Sequence, residues 1–167
     1  MNFMKLQEFM ELVGQLKHIK RTGWVLRNIE GSETIAAHII MQMALVHDLA
    51  ECIVGDITPH CGISPEEKHR LEDDAMMKIC QLLGNQGSNI LEIFREYESQ
   101  QSNEAKYVKD LDRLDLISQA YEYEKRDGTP GKLEEFFANT VDKISHPFLK
   151  KMAAEITSQR QKIIGNK

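Results

Sequence analysis

A chain of 167 residues, 41% hydrophobic and 28% charged, has the size and composition of one globular domain spanning residues 1–167. Its 26 acidic residues outnumber 21 basic ones for a formal charge of −5, which excludes a broad electrostatic grip on a nucleic-acid polymer. No apolar run approaches the roughly 18 residues of a membrane span, and Met1 to Lys20 alternates charge with hydrophobe without a signal-peptide core, so a cytoplasmic protein with no membrane partner is expected.

The first segment, about Phe3 to Lys17, places Phe3, Leu6, Met10, Val13 and Leu16 three or four apart, the spacing of one apolar helix face. After a loop through Arg21, Thr22 and Gly23, Ser32 is suited to cap a second helix with Glu33 in its first turn, and no Gly or Pro interrupts the run to Val54. Gly55 and Pro59 bracket the turn that ends it. Ser64-Pro65-Glu66-Glu67 is the clearest start signal, with a Ser cap, Pro at the first helical position and Glu at the third. It predicts a helix to Leu83 that stops at Gly84. Further helices are predicted over about Asn89 to Glu98, Asn103 to Arg126, Lys132 to Ile144 and Pro147 to Ile164. With no hairpin or βαβ pattern, the fold class is all-α, a compact helical bundle. Cys52, Cys61 and Cys80 are odd in number and form no C-x-x-C pair, so reduced thiols are expected in place of a disulfide framework or structural zinc.

The densest chemistry lies in Met43 to Asp56. On a continuous helix His47 and Glu51 are four apart and share a face, with Asp48 about 100° round. An imidazole and two carboxylates so placed suit a divalent cation, the second carboxylate being free to orient water. These residues interrupt an apolar run, Ala44 to Val46 and then Leu49, Ala50, Ile53 and Val54, so partial burial is expected, and buried acids need partners. Asp112 has apolar neighbours four residues away on either side, Val108 and Leu116, which leaves two readings open: a metal ligand or a salt bridge to another helix. His38, among apolar residues, reads by itself as a core histidine.

A histidine upstream, the His47-Asp48 doublet and a later Asp resemble the signature of the HD-domain metal-dependent phosphohydrolases. Within them, Thr22 to Asn28, Glu33 to His38, Ala44 to Pro59 and Lys106 to Asp112 look like the HD-domain-containing protein 2 group, related to bacterial 5′-deoxynucleotidases. The resemblance covers nearly the whole chain. It implies an HD-domain bundle and a homodimer that hydrolyses deoxynucleoside 5′-monophosphates to deoxynucleosides and phosphate. It also implies a divalent ion, with Mn, Co, Mg, Fe and Zn all compatible with mixed N/O ligands. By position, His38, His47, Asp48 and Asp112 match the metal ligands and Glu51 the residue that activates water. Asp56 matches an aspartate near the sugar, Trp24 the aromatic wall of the nucleotide pocket, and Arg27 a nearby basic residue. The bacterial enzymes place an Arg directly before the Trp; here Gly23 stands there and Arg21 lies further back.

One departure stands out. His38 and His47 are nine steps apart, where the family interposes a turn and a returning helix. On one continuous helix nine steps rotate about 900° and rise about 13.5 Å, which turns the two imidazoles to opposite sides. The chain therefore reads as an internally shortened member in which the helix unwinds locally, His38 leaves the site, or the chain before it repacks. A non-catalytic form that binds nucleotide or metal, or acts through dimerisation, is the competing reading. Hydrolysis of a cyclic nucleotide or guanosine tetraphosphate is a third.

Overall fold

The computed structural model describes Lys20, Leu26 and residues 35–84 and 87–165. The predicted helix at 3–17 lies outside them. Among the described residues the repeating elements are helices: α1 (Ile35–Val46), α2 (Glu51–Val54), α3 (Pro65–Leu82), α4 (Gly87–Ser99), α5 (Asn103–Asp127), α6 (Glu134–Ala138) and α7 (Pro147–Gly165). Short 3₁₀ turns occupy Pro59–Cys61 and Val141–Lys143. Cys52, Cys61 and Cys80 are free thiols, as expected. The chain forms two compact units, Met1–Ala105 and Lys106–Lys167.

In the first unit, α4 packs against α1 and α3, and α2 against α3. Val46, Ala50, Ala75, Met76 and Phe94 form the core, flanked by Leu49, Val54, Ile79 and Ile90. The Ser64 signal holds: its Oγ accepts from the Glu67 amide at 3.2 Å, Pro65 opens α3, and Gly84 has φ +55°, beyond the helix's end. The continuous helix expected from Ser32 to Val54 does not form. α1 ends at Val46 and residues 47–50 make a turn, so an absence of Gly and Pro was not sufficient to carry the helix through.

The second unit closes on Leu114, Ile117, Ala120, Phe137, Ile144, Leu149 and Ala153. Three buried charges organise it, Arg160 with Glu124, and Asp110. Arg160, 1% exposed, makes a bidentate pair with Glu124 (2.8 and 2.9 Å), reaches Glu134 at 2.6 Å, and lies 4.0 Å over the Phe137 ring. Asp110, 2% exposed, accepts from the Ser145 amide and hydroxyl (both 2.8 Å) and the His146 amide (2.7 Å). It thereby caps the start of α7 from 35 residues away. Burial alone raises the Asp110 pKa, but those donors and Arg113 outweigh it and hold it below the ordinary aspartate value. The single helix expected over Lys132 to Ile144 is replaced by α6 and a 3₁₀ turn. Asn139 and Thr140, poor helix formers, separate them, and the Lys143 carbonyl accepts from Arg113 Nη1 at 2.9 Å in place of a helical partner.

Hydrogen bonds from Arg160 bring the Glu124 carboxyl down to about 2, against an ordinary value of 4.5. Below 4.5 the unfolded chain therefore takes up the proton first, so the stability from this pair is whole above that pH and disappears as pH falls through about 2. Thermal midpoints recorded from pH 6 downward should fall across that window, and Glu124→Gln should flatten the fall. Arg160→Met strands a buried carboxylate and should cost about 3–5 kcal/mol in urea denaturation at pH 7.

Candidate active site

His47 sits where α1 ends, and its own side chain helps to end it. Its Nδ1 lies 2.9 Å from the Ala44 carbonyl oxygen, the carbonyl a continuing helix would offer to residue 48. Beyond that point amides reach back three residues: Leu49 to Val46 (3.0 Å), Glu51 to Asp48 (3.0 Å) and Cys52 to Leu49 (3.3 Å). In such a tightened turn residues three apart come into register. The expected helical pairing of His47 with Glu51 is thereby replaced by a pairing of Asp48 with Glu51.

A carbonyl only accepts, so Nδ1 carries the proton of that bond and Nε2 faces the other way, 3.0 Å from Asp48 Oδ2. Two ligand atoms about 2.1 Å from one ion, at a right angle, are separated by about 3.0 Å. A histidine that donates through one nitrogen to a backbone carbonyl and offers the other is the usual arrangement at a metal. The doublet therefore fits a divalent cation. Exposure is uneven where uniform partial burial was expected: the His47 side chain is 15% exposed and Asp48 61%, while Leu45 and Ile53 of the apolar run face solvent.

Glu51 opens α2, half-buried. Burial first, then the charges of Asp48 and Asp56, push its carboxyl above the ordinary value, and Lys68 opposes them. Gly55 follows α2 at φ +77°, ψ 170°, a conformation open essentially to glycine alone, and turns the chain so that exposed Asp56 follows immediately.

The turn thus gathers His47, Asp48, Glu51 and Asp56 in the first unit. Asp112 belongs to the second, on α5, 39% exposed and 3.1 Å from Lys109 Nζ of its own helix. The expected apolar stripe around it is half real, since Val108 is buried but Leu116 is 41% exposed. The salt bridge comes from three residues away on the same helix, not from another one. His38 lies on α1, continuous to Val46, so the local unwinding falls at His47 and not between the two histidines; the His38 side chain lies outside the described residues. Arg21, Trp24 and Arg27 lie outside them too.

Several contributors left no trace in the sequence pattern. Tyr97, 3% exposed on α4, sets its ring edge against His47 with centroids 5.0 Å apart, which fixes the imidazole plane. Lys68 on α3 reaches the Ile57 carbonyl. His69, Glu72 and Glu98 bring possible ligand atoms within 4.8 Å of one another; His69 Nδ1 stands 2.9 Å from Glu98 Oε2, while Glu72 faces Lys68. Tyr97 with His47, Lys68 with Ile57 and His69 with Glu98 join separate segments, a relation no local spacing encodes, while Glu72 and Lys68 are a local i,i+4 pair.

Among the described residues the repeating elements are helices, and a His-Asp doublet at a tightened helix end points to the metal-dependent helical hydrolases. The chain belongs to the HD-domain family, whose model matches residues 39–157. The 5′-deoxynucleotidase HDDC2 of Mus musculus is 43% identical over 175 aligned positions, covering 93% of this chain and 88% of the mouse protein. That of Danio rerio is 45% identical, covering 94% and 88%. Among solved structures, PH0347 from Pyrococcus horikoshii OT3 superposes with a TM-score of 0.55 at 27% identity, covering 93% of this chain and 98% of that one. An alignment of 175 positions that takes in 93% of 167 residues leaves about twenty without counterpart here, in keeping with an internally shortened chain. Family membership implies a divalent cation as cofactor. Among the described residues no helix is long and apolar enough to cross a membrane.

Removing the His47 imidazole deletes both the Nε2 donor and the bond to Ala44. Titration calorimetry with Mn²⁺ should show His47→Ala binding at least about tenfold more weakly than the parent chain; equal affinity would exclude His47 as a ligand.

Proposed function

We propose that this chain is a metal-dependent 5′-deoxynucleotidase that converts deoxynucleoside 5′-monophosphates to deoxynucleosides and phosphate, working as a single HD domain and a cytoplasmic homodimer. The observation that carries the reading is the doublet: Nε2 of His47 beside Asp48 Oδ2 at 3.0 Å, with Nδ1 anchored on a backbone carbonyl and the raised carboxyl of Glu51 next to them. Relatives over 40% identical that are named 5′-deoxynucleotidase support the substrate class.

The proposed ligands are His47 and Asp48, with Mn, Co, Mg, Fe or Zn as the ion; of the other two that the family resemblance implies, Asp112 is carried over on that resemblance alone, and His38 leaves the set, because nine helical steps along α1 turn it to the side opposite His47. When bound, a divalent cation supplies positive charge against phosphoryl oxygens and acidifies a ligated water. Glu51 takes the proton of the attacking water on a carboxylate oxygen. Its raised pKa, from burial and from Asp48 and Asp56, suits it to hold that proton and release it to the departing nucleoside oxygen. Attack in line with that oxygen leaves inorganic phosphate and the deoxynucleoside. Asp56, turned out by Gly55, borders the sugar and disfavours a 2′-hydroxyl. On the family resemblance alone, Trp24, Arg27 and Arg21 are assigned to substrate binding. Exposed Met41 and Leu45, four apart on α1, offer apolar surface to a second copy.

Phosphate release from a panel of deoxynucleoside and ribonucleoside 5′-monophosphates, with Mn²⁺, Co²⁺ or Mg²⁺ supplied, should show turnover of the deoxy forms. Glu51→Gln should lower kcat by about 10²–10⁴. A parent chain no more active than Glu51→Gln would leave only the binding reading.

A further inference from the structure

Resting on the active site proposed above, we infer that Lys68 is a positioning residue: its ammonium ties the loop that follows the Glu51 helix to α3, and so sets where Asp56 stands. Nζ of Lys68 donates to the Ile57 carbonyl oxygen at 3.2 Å, across eleven residues of chain. Asp56 stands between two unlike neighbours. Gly55 has no side chain to pack, and its side of the loop is held by its amide alone, which donates to the Glu51 carbonyl at 2.9 Å. Ile57 is held twice, its residue only 8% exposed and its carbonyl bound by Lys68. Release of that carbonyl leaves the segment carrying Asp56 held beyond Gly55 only by the packing of the Ile57 side chain.

Glu72 aims the ammonium. It lies one turn further along α3, its side chain 9% exposed, with Oε1 3.5 Å from Nζ. That separation is long for a hydrogen bond, while the Ile57 contact is within range, so the ion pair directs the lysine stem and one ammonium N–H donates to the carbonyl. The same ammonium places positive charge among Glu51, Asp48, Asp56 and Glu72, a group in which every other member is acidic. A lysine serving only as a helix-surface counter-ion would have no reason to reach a loop carbonyl beside the acids of the site.

Three variants separate positioning from simple charge pairing. Lys68→Met loses the tether and strands Glu72. Lys68→Met/Glu72→Gln loses the tether without an unpaired buried charge, and Lys68→Arg keeps a long cation. With deoxynucleoside monophosphate and saturating Mn²⁺, the double variant should show kcat at least tenfold below the parent, KM within threefold, and a thermal midpoint closer to the parent's than that of the single Met variant. Lys68→Arg should recover kcat to within about fivefold of the parent. Hydrogen–deuterium exchange over residues 51–58 reads the tether without turnover and should quicken several-fold in the double variant. Recovery of kcat together with the midpoint in the double variant, or unchanged exchange over 51–58, would make Lys68 no more than Glu72's counter-ion and overturn the inference. An inactive parent chain would strike the proposed reaction instead, and exchange alone would then decide the role of Lys68.

Discussion

The bond between His47 Nδ1 and the Ala44 carbonyl governs the first unit. It takes up a carbonyl at the end of α1, and the backbone that follows tightens to three-residue spacing. The same bond places the proton on Nδ1 and turns Nε2 toward Asp48. One interaction of ordinary strength thus ends a helix, selects a tautomer and brings a nitrogen and an oxygen to a separation that one cation can bridge. Tyr97, packed edge-on against the ring, restricts the rotation that would undo it.

Charge in this unit is concentrated and one-sided. Glu51 stands among Asp48, Asp56 and Glu72, and each raises the cost of its ionisation, with burial the largest contribution. Such crowding is unfavourable in a merely structural helix turn. It is what a site needs if one carboxyl is to accept and return a proton while neighbouring carboxylates meet a cation. Lys68 is the cation within the chain itself that offsets part of this charge, and it does so from a position that also holds backbone.

The second unit handles buried charge differently. Arg160 and Glu124 satisfy one another in bidentate geometry, the Leu133 amide adds a donor to Glu124 at 2.7 Å, and Asp110 gathers three donors at the start of α7 and a fourth from Arg113 on its own helix. These pKa values move down where that of Glu51 moves up. The contrast follows from partners: a buried carboxylate with several donors is stabilised as an anion, and one facing other carboxylates is not.

Local chemistry was legible in the sequence wherever cause and effect lie within a turn of helix. The Ser64-Pro65 start, the bounds of α3, α4, α5 and α7 to within two or three residues, the helical class and the His47-Asp48 doublet all rest on spacing and capping. The break at His47 was not legible, because the agent is a histidine side chain competing for a backbone carbonyl, and propensity registers only Gly and Pro as breakers. Asp112 drew attention for its apolar neighbours, while Asp110, two residues earlier, is the buried acid. Its donors come from Ser145 and His146, far along the chain, and nothing near Asp110 announces them. Tyr97 against His47 and Lys68 on the Ile57 carbonyl belong to the same category. The sequence by itself determined the helical class and the bounds of α3, α4, α5 and α7, and it singled out the His47-Asp48 doublet. Tertiary structure decided which acids are buried, what packs against the imidazole and what holds the loop of Asp56, since each depends on groups that meet only when separate segments pack.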